Sequence, residues 1–208
     1  MANTSARPSA TRGFARERVL DAALELFAKH GVHGTSLQMI ADRLGVGKGA
    51  VYYQFQCKDE IALAVVRPVF EDIERLTRIA EPLPSAEAQR DVGISGLVEL
   101  AIRHRRISSL FYGDPTIHQL VEEHEEFDVI VNRFSELLLG PEPDTASRVA
   151  ISMTTAGIYA CATDPALADI GDTELRHILL ECSKRCAATA VSSGRSRAES
   201  GSYSRPTA

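Results

Sequence analysis

The stretch that decides the fold runs from Thr35 to Phe55 and has the sequence TSLQMIADRLGVGKGAVYYQF. Its first half repeats apolar residues at i, i+3, i+4 and i+7, which is the spacing of one buried helical face. These residues are Leu37, Ile40, Ala41 and Leu44. Thr35 followed three residues later by Gln38 predicts a capping box at the start of this helix. Gly45 predicts its end, because glycine tolerates the left-handed backbone that such a stop usually needs.

A second helix is expected to begin near Gly47. Val51 and Phe55 lie one turn apart, so both can share a core with the first helix. The residues that then face away from this core or lie on its flanks are Gly49, Ala50, Tyr52 and Tyr53. Small residues beside a lysine and two tyrosines make a surface that can approach a phosphate backbone closely. The pattern predicts a helix-turn-helix, and the alternative is an ordinary αα-hairpin of a helical protein.

Residues beyond this stretch extend the pattern. The run from Arg18 to Lys58 resembles the amino-terminal DNA-binding domain of the TetR family of bacterial transcriptional regulators. The matching residues are Val19, Leu20, Ala23, Leu26, Phe27, Gly31, Thr35, Ser36, Ile40, Ala41, Gly45, Val46, Lys48, Gly49, Ala50, Tyr52, Tyr53, Phe55 and Lys58. The resemblance implies an all-α fold, with a three-helix helix-turn-helix domain followed by a larger helical domain for ligand binding and dimerisation. It also implies a homodimeric repressor that a small, mostly apolar inducer releases from a pseudo-palindromic operator in double-stranded DNA; an activator of the same fold is the alternative.

The residues expected at the DNA come from both helices of the motif. They are Thr35, Ser36, Gly47, Lys48, Gly49, Ala50, Tyr52, Tyr53, Gln54 and Lys58. Lys48 lies in the first turn of the second helix, and we expect operator binding to depend on it most. Three positions depart from the family pattern: Gly47 replaces a serine or threonine, Gln54 a histidine and Cys57 a serine. The first and last departures remove a side-chain oxygen from a cap position.

Composition and charge agree with localised DNA contact by a soluble protein. The net charge is −5, yet residues 1–60 carry eight Lys and Arg against six Asp and Glu. A modestly basic head on an acidic body suits contact with phosphates at one place only. No apolar run approaches membrane-spanning length and no signal peptide is visible, so we expect a cytoplasmic protein without a membrane partner. The four cysteines are expected to be reduced.

The chain divides into four expected segments. These are a disordered arm at 1–13, the DNA-binding domain at 14–60 with its motif at about 36–55, a ligand-binding and dimerisation domain at 61–190, and a disordered tail at 191–208. Pro68 predicts a kink in the fourth helix. Residues 81–85 and 140–144 predict breaks between helices.

The larger domain carries the ligand and dimer predictions. Apolar walls with a few polar groups suit a small apolar inducer, and the residues expected there are Phe111, Tyr112, Phe127, Phe134, Met153, Thr154 and Tyr159. A helix at about 145–162 is apolar nearly all round, which predicts burial on both sides. Together with a last helix at about 173–190, it predicts a symmetric four-helix interface between two chains. The interface residues expected are Val149, Met153, Gly157, Cys161, Leu175, Ile178, Leu179 and Cys182.

Several features admit other interpretations. Cys182 and Cys186 are expected to be inert core residues, with a redox switch as the alternative. His118 and Glu122 lie one turn apart and could begin a metal site, although no third ligand has a fixed spacing. The basic run at 103–106 is either a solvated helix end or a second DNA site. We expect no catalytic residue, metal or cofactor, because no catalytic or phosphate-binding motif appears; a protein-docking adaptor and an enzyme are the competing function classes.

Overall fold

The fold is known from a computed structural model. It describes the backbone of residues 8–200 and the side chains of residues 15–110 and 113–187. This part of the chain consists of α-helices, one short 3-10 helix at Pro165–Leu167 and connecting turns, and it contains no strand. The helices are α1 (Pro8–Gly34), α2 (Leu37–Leu44), α3 (Lys48–Gln54), α4 (Lys58–Ala80), α5 (Ala86–Arg103), α6 (Arg105–Gly113), α7 (Pro115–Glu122), α8 (Glu125–Leu139), α9 (Thr145–Thr163) and α10 (Asp172–Ser200). The predicted all-α fold is confirmed.

Most helix ends lie where local chemistry predicts them. Gly31 has φ 71° and ψ 165°, so the regular helix of α1 is interrupted at a glycine, the residue that tolerates such a backbone. Ser85 caps α5 by accepting a hydrogen bond from the Ala88 N–H, and Asp144 caps α9 through the Ser147 N–H. Gly140 follows α8 with φ 79°, a left-handed conformation that favours glycine. The breaks predicted at 81–85 and 140–144 are therefore confirmed.

The two terminal helices are longer than expected. Disorder was expected for residues 1–13, but α1 begins at Pro8, where the fixed φ of proline suits a first turn. Disorder was also expected for 191–208, but α10 continues to Ser200, because extending an existing helix is far easier than starting one. Residues 1–7 and 201–208, to which the rest of both expectations applies, lie outside the described part of the chain.

The described residues form two compact units. The first comprises residues 8–71 and 106–128, and its most deeply buried side chains include Phe27, Ile40, Val51, Phe55 and Ile61. The second comprises residues 72–105 and 129–200, with a core that includes Ile94, Val98, Leu138, Ile158 and Leu175. Each such side chain contributes about 1.5–3 kcal/mol by leaving water.

The burial of α9 differs from the prediction. The helix packs against α5 and α10 through one face only, and its buried residues are Ile151, Thr154, Ile158, Tyr159 and Ala162. The opposite face stays open, since Val149 is 53% exposed and Met153 is 69% exposed. Burial on both sides was expected because apolar residues surround the helix. A single chain supplies neighbours for only one of these sides.

The buried stripe of α10 also differs. Leu175, Leu179, Ser183 and Ala187 are buried at four-residue intervals, whereas Cys182 and Cys186 are exposed. The prediction that both cysteines are core residues is wrong for the single chain. The inward stripe of α10 repeats every four residues. Cys182 and Cys186 each lie three positions after a residue of that stripe, so they fall outside it. Within the described residues, no helix is both long enough and apolar enough to cross a membrane.

Candidate nucleic-acid interface

The first helix of the motif begins one residue later than the capping box predicted. Ser36 is the N-cap of α2, and its hydroxyl accepts a hydrogen bond from the Met39 N–H at 3.2 Å. The Thr35 side chain is buried, and its hydroxyl donates to the Gly31 carbonyl at 2.8 Å. Gln38 instead donates to Asp42 at 2.7 Å. Thr35 therefore closes the end of α1, because its hydroxyl reaches the carbonyl exposed by the break at Gly31.

The turn between the helices depends on Gly45. This residue has φ 66° and ψ 33°, and its N–H bonds to carbonyls in the last turn of α2. The Val46 N–H bonds back to the Ala41 carbonyl at 3.0 Å. A Cβ at Gly45 would meet no atom within 4 Å, so the backbone conformation and not space requires glycine here.

The second helix, α3, is held in place by two buried residues and by Arg16. Val51 and Phe55 are buried as predicted. The Arg16 guanidinium lies 4.0 Å from the centroid of the Phe55 ring, and its Nη1 donates to the Gln54 carbonyl at 3.3 Å. Arg16 thus supports the carboxyl end of α3 with a charge that suits a helix end. No local sequence pattern predicts this role; the one sequence signal is a basic residue on α1 without an acidic residue one helical turn away.

The opposite face of α3 is open, as predicted. Tyr52 is 47% exposed and Tyr53 70% exposed. The ammonium of Lys48 lies 5.4 Å from the centroid of the Tyr52 ring. A Cβ at Gly49 would meet no atom within 4 Å, so packing within the chain does not require a glycine there. The result is a short helix whose exposed side combines a cation, two aromatic rings and two small residues.

The other residues expected at the DNA have mixed positions. Ser36 and Gly47 are exposed at the starts of α2 and α3, and Gly47 caps α3 without a side-chain hydrogen bond. Gln54 is half-buried. The Lys58 ammonium donates to the His33 carbonyl at 3.2 Å, so it stabilises the end of α1 in this structure. Thr35 is the one residue of the set whose side chain is buried. The structure thus leaves most of the set exposed and the Thr35 hydroxyl inside.

Residues 19–65 match the family described as bacterial regulatory proteins, tetR family. The chain matches the TetR family over this segment. It is 47% identical to SrpR, an HTH-type transcriptional regulator of Pseudomonas putida, over 51 residues, which is 24% of this chain and 24% of SrpR. The chain therefore matches about a quarter of the length of that curated relative.

Solved structures resemble the fold of the chain beyond this segment. NalD, the secondary repressor of the MexAB-OprM multidrug efflux pump in Pseudomonas aeruginosa, superposes with a TM-score of 0.64 at 25% identity, covering 86% of this chain and 98% of NalD. The SmeT–triclosan complex superposes with a TM-score of 0.56 at 23% identity, covering 82% of this chain and 90% of that one, and shows the fold alone. These likenesses agree with a helix-turn-helix that precedes a larger helical region.

The residues expected to bind a ligand are divided between the two units. Phe127 belongs to the first, where its ring centroid lies 4.4 Å from that of Phe70. The second holds Phe134, Thr154 and Tyr159, all buried. Met153 lies on the open face of α9 and does not line an enclosed site in a single chain. The side chains of Phe111 and Tyr112 lie outside the described part of the structure.

The residues expected at a dimer interface fall into two groups. Val149, Met153, Ile178 and Cys182 are exposed, and Gly157 and Cys161 are half-buried. Leu175 and Leu179 are buried in the core of their own chain, because they belong to the stripe of α10 that packs inward. We define the open face as Val149, Met153, Gly157, Ile178 and Cys182.

Asp114 connects two helices of the first unit, a role that was not predicted from the sequence. One carboxylate oxygen accepts the Val32 N–H at 2.6 Å, and the other accepts the Thr116 N–H at the start of α7 at 2.9 Å. Burial raises the pKa of Asp114, but the backbone N–H groups of Val32 and Thr116 outweigh it, so the pKa is lowered overall. The group therefore ties α1 to α7 as a charged cap. Aspartate followed by proline was the sequence signal.

The remaining polar clusters form ion pairs. His118 Nδ1 lies 3.2 Å from Glu122 on the exposed side of α7, and the described residues contain no group of three metal-ligating side chains. In the basic run, Arg103 lies 3.4 Å from Asp72, and His104 Nε2 lies 2.8 Å from the same carboxylate. These contacts agree with the first interpretation of the basic run, a helix end whose charges form ion pairs within the chain.

Proposed function

We propose that this protein is a DNA-binding transcriptional regulator that acts as a homodimeric repressor and responds to a small-molecule inducer. The observation that carries the proposal is the exposed face of α3, defined by Lys48, Gly49, Ala50, Tyr52 and Tyr53, on a TetR-family helix-turn-helix. Residues 14–60 would bind the operator, and residues 61–190 would bind the ligand and the second subunit. Such a protein would act in the cytoplasm, where its DNA is.

The chemistry of this face suits a major groove. Lysine donates to phosphates and to guanine acceptors, and tyrosine reaches phosphates and thymine methyl groups. Gly49 and Ala50 leave room for close approach, and nothing within the chain requires a glycine at 49. Ser36 adds a hydroxyl and the N-terminal N–H groups of α2, where a phosphate oxygen is favoured. The face thus offers both positioning and base contacts.

The open face of α9 and α10 supports a dimer. Exposed residues as apolar as Val149, Met153 and Ile178 favour association when they adjoin one another. Gly157 lies in the same face and would allow two helices to approach closely. A two-fold pair of subunits would present two α3 helices to successive major grooves about 34–36 Å, or a larger number of whole turns, apart.

Ligand control is proposed from the family and from the buried polar and aromatic residues of the body. Triclosan is bound in the structure of SmeT, which shares this fold. An inducer shifts the protein between two states only by binding one of them better, and we expect a coupling of about 1–3 kcal/mol with the operator. Reciprocity requires operator DNA to weaken inducer binding by the same factor.

Selection of bound DNA from a random pool tests the function directly. The full chain should enrich a pseudo-palindromic site whose halves lie a whole number of helical turns apart. Enrichment of no sequence would favour a protein-docking adaptor, which needs no operator. A reporter gene placed behind the selected site then separates repression from activation, because the two roles change its expression in opposite directions.

A further inference from the structure

Among the described residues, the buried side-chain atoms without a hydrogen-bond partner are two nitrogens of the Arg105 guanidinium and the Ser108 hydroxyl oxygen. Arg105 is the first residue of α6, and its Nη1 lies 3.4 Å from the carboxylate of Asp172 at the start of α10. Its Nε and Nη2 atoms are buried, and neither has a hydrogen-bond acceptor among the described residues. Arginine stays charged at any physiological pH, so it cannot escape this burial by losing its proton.

The two unpaired nitrogens form one edge of the guanidinium. Their N–H groups point the same way and match the two oxygens of a carboxylate. Elsewhere in this chain the same edge is occupied: Arg133 donates from Nε and Nη2 to the two carboxylate oxygens of Glu81, each at 2.6 Å. In Arg90 the same two nitrogens donate to backbone carbonyls at the end of α8, at 2.7 and 3.2 Å.

We propose that the Nε and Nη2 edge of Arg105 binds the carboxylate of a small-molecule ligand. A buried donor pair without acceptors is rare in native proteins, because its hydration is lost and nothing replaces it. A planar carboxylate satisfies both donors at once and offsets the arginine charge. Because both nitrogens are buried in this structure, binding requires the atoms that cover them to move. The ligand therefore favours a second conformation.

This conformational coupling makes Arg105 a candidate inducer contact, and only that regulatory role rests on the proposed function. The expected inducer then has an anionic head in addition to its apolar part. The carboxylate of Asp172 would repel such a head, because it contacts the same guanidinium at Nη1. Its side chain is 64% exposed, so solvent screens this repulsion and a carboxylate can still bind.

The test measures binding of carboxylates to the full chain without DNA. Octanoate and benzoate are compared with octanamide and benzamide at equal salt, by calorimetry and by thermal unfolding. We expect the carboxylates to bind at least about tenfold more tightly than the amides. Arg105→Lys keeps the charge but loses the two-donor edge, so it should weaken carboxylate binding about tenfold. Arg106→Lys, at the exposed neighbouring position, is the matched control and should bind as the wild type does.

Two further measurements keep the proposal testable if Arg105→Lys folds poorly. In the wild-type chain labelled with 15N-arginine, the Nε resonance of Arg105 should shift when octanoate or benzoate is added. Asp172→Asn should strengthen carboxylate binding about two- to fivefold, the range of a partly exposed ion pair. Equal binding of carboxylates and amides, equal effects of the two lysine variants, or an unmoved Nε resonance with every carboxylate would overturn the proposal. Operator binding is assayed separately, so failure here leaves the DNA-binding proposal standing.

Discussion

The helix-turn-helix and the pair α9–α10 differ in how much of their apolar surface a single chain buries. In α2 and α3 the apolar residues and the buried residues nearly coincide, and the open side of α3 is polar, aromatic or small. In α9 and α10 a row of apolar side chains remains exposed beside the buried stripe. The first region leaves few apolar side chains exposed, whereas the second leaves a row of them without a neighbour among the described residues. Function follows the same division, with DNA proposed at one region and a second subunit at the other.

The largest expected effect concerns the core beneath α3. Phe55→Ala removes a fully buried ring, which should lower the free energy of unfolding by about 3–5 kcal/mol. Urea denaturation followed by circular dichroism measures this change. Ile79→Ala is the matched control, because Ile79 is exposed, and it should change stability by no more than about 0.5 kcal/mol. Similar losses in both variants would contradict the assignment of Phe55 to the core.

The dimer prediction is tested on the open face. Gly157→Leu adds a side chain where a Cβ meets no atom within 4 Å in the single chain, so folding should be retained. Against a close partner helix it should clash and weaken dimerisation by about 1–3 kcal/mol or more. Analytical ultracentrifugation over a concentration series gives the dimer dissociation constant. Gly171→Leu, at another position with open space, is the control. A dimer of unchanged affinity would show that the interface lies elsewhere.

The helix-turn-helix offers a comparison between two glycines, Gly45 in the turn and Gly49 in α3. Gly45→Ala forces a side chain into a left-handed conformation and should destabilise the protein by about 1–2 kcal/mol. Gly49→Ala replaces a glycine within α3 and should stabilise the helix by about 0.5–1 kcal/mol. The same Gly49→Ala change should weaken operator binding if DNA approaches this position closely. Thermal unfolding and gel-shift titration of both variants measure these opposite signs. If Gly45→Ala were as stable as the wild type, the turn geometry would be wrong.

A further effect, dependent on pH, concerns Asp114. Asp114→Asn should lower stability by about 0.5–2 kcal/mol at neutral pH, because a charged cap shared by α1 and α7 becomes neutral. The pKa of Asp114 is lowered in the folded protein. Its contribution is therefore present above the ordinary aspartate pKa and is lost as the pH falls through the lowered folded value. The difference in urea midpoint between wild type and variant should shrink at about pH 3; a difference independent of pH would contradict a charged cap.

Sequence was sufficient where local interactions decide the structure. The turn at Gly45, the cap at Ser85 and the buried pair of Val51 and Phe55 follow from propensity, capping and periodicity within a few residues. The capping box failed by one position, because Thr35 and Ser36 both suit an N-cap. The break at Gly31 decided between them, since the Thr35 hydroxyl closes that end.

Sequence was insufficient where the partner is distant along the chain. The contacts of Asp114 with Val32, of Arg16 with Phe55 and of Lys58 with the His33 carbonyl depend on tertiary placement that no local pattern contains. The predicted buried stripe of α10 was wrong for a related reason. Periodicity identified an apolar helix, but two faces were apolar, and only packing decides which of them turns inward.

The most direct test of the central claim is the operator affinity of Lys48→Ala, measured on the selected DNA site. Lys184→Ala on α10 removes the same charge from an exposed position and serves as the control. If the exposed face of α3 reads DNA, Lys48→Ala should lose about 1–3 kcal/mol of binding while keeping the wild-type unfolding midpoint. The control should bind as the wild type does. Equal affinities for Lys48→Ala and the wild type would contradict the assignment of this face to DNA.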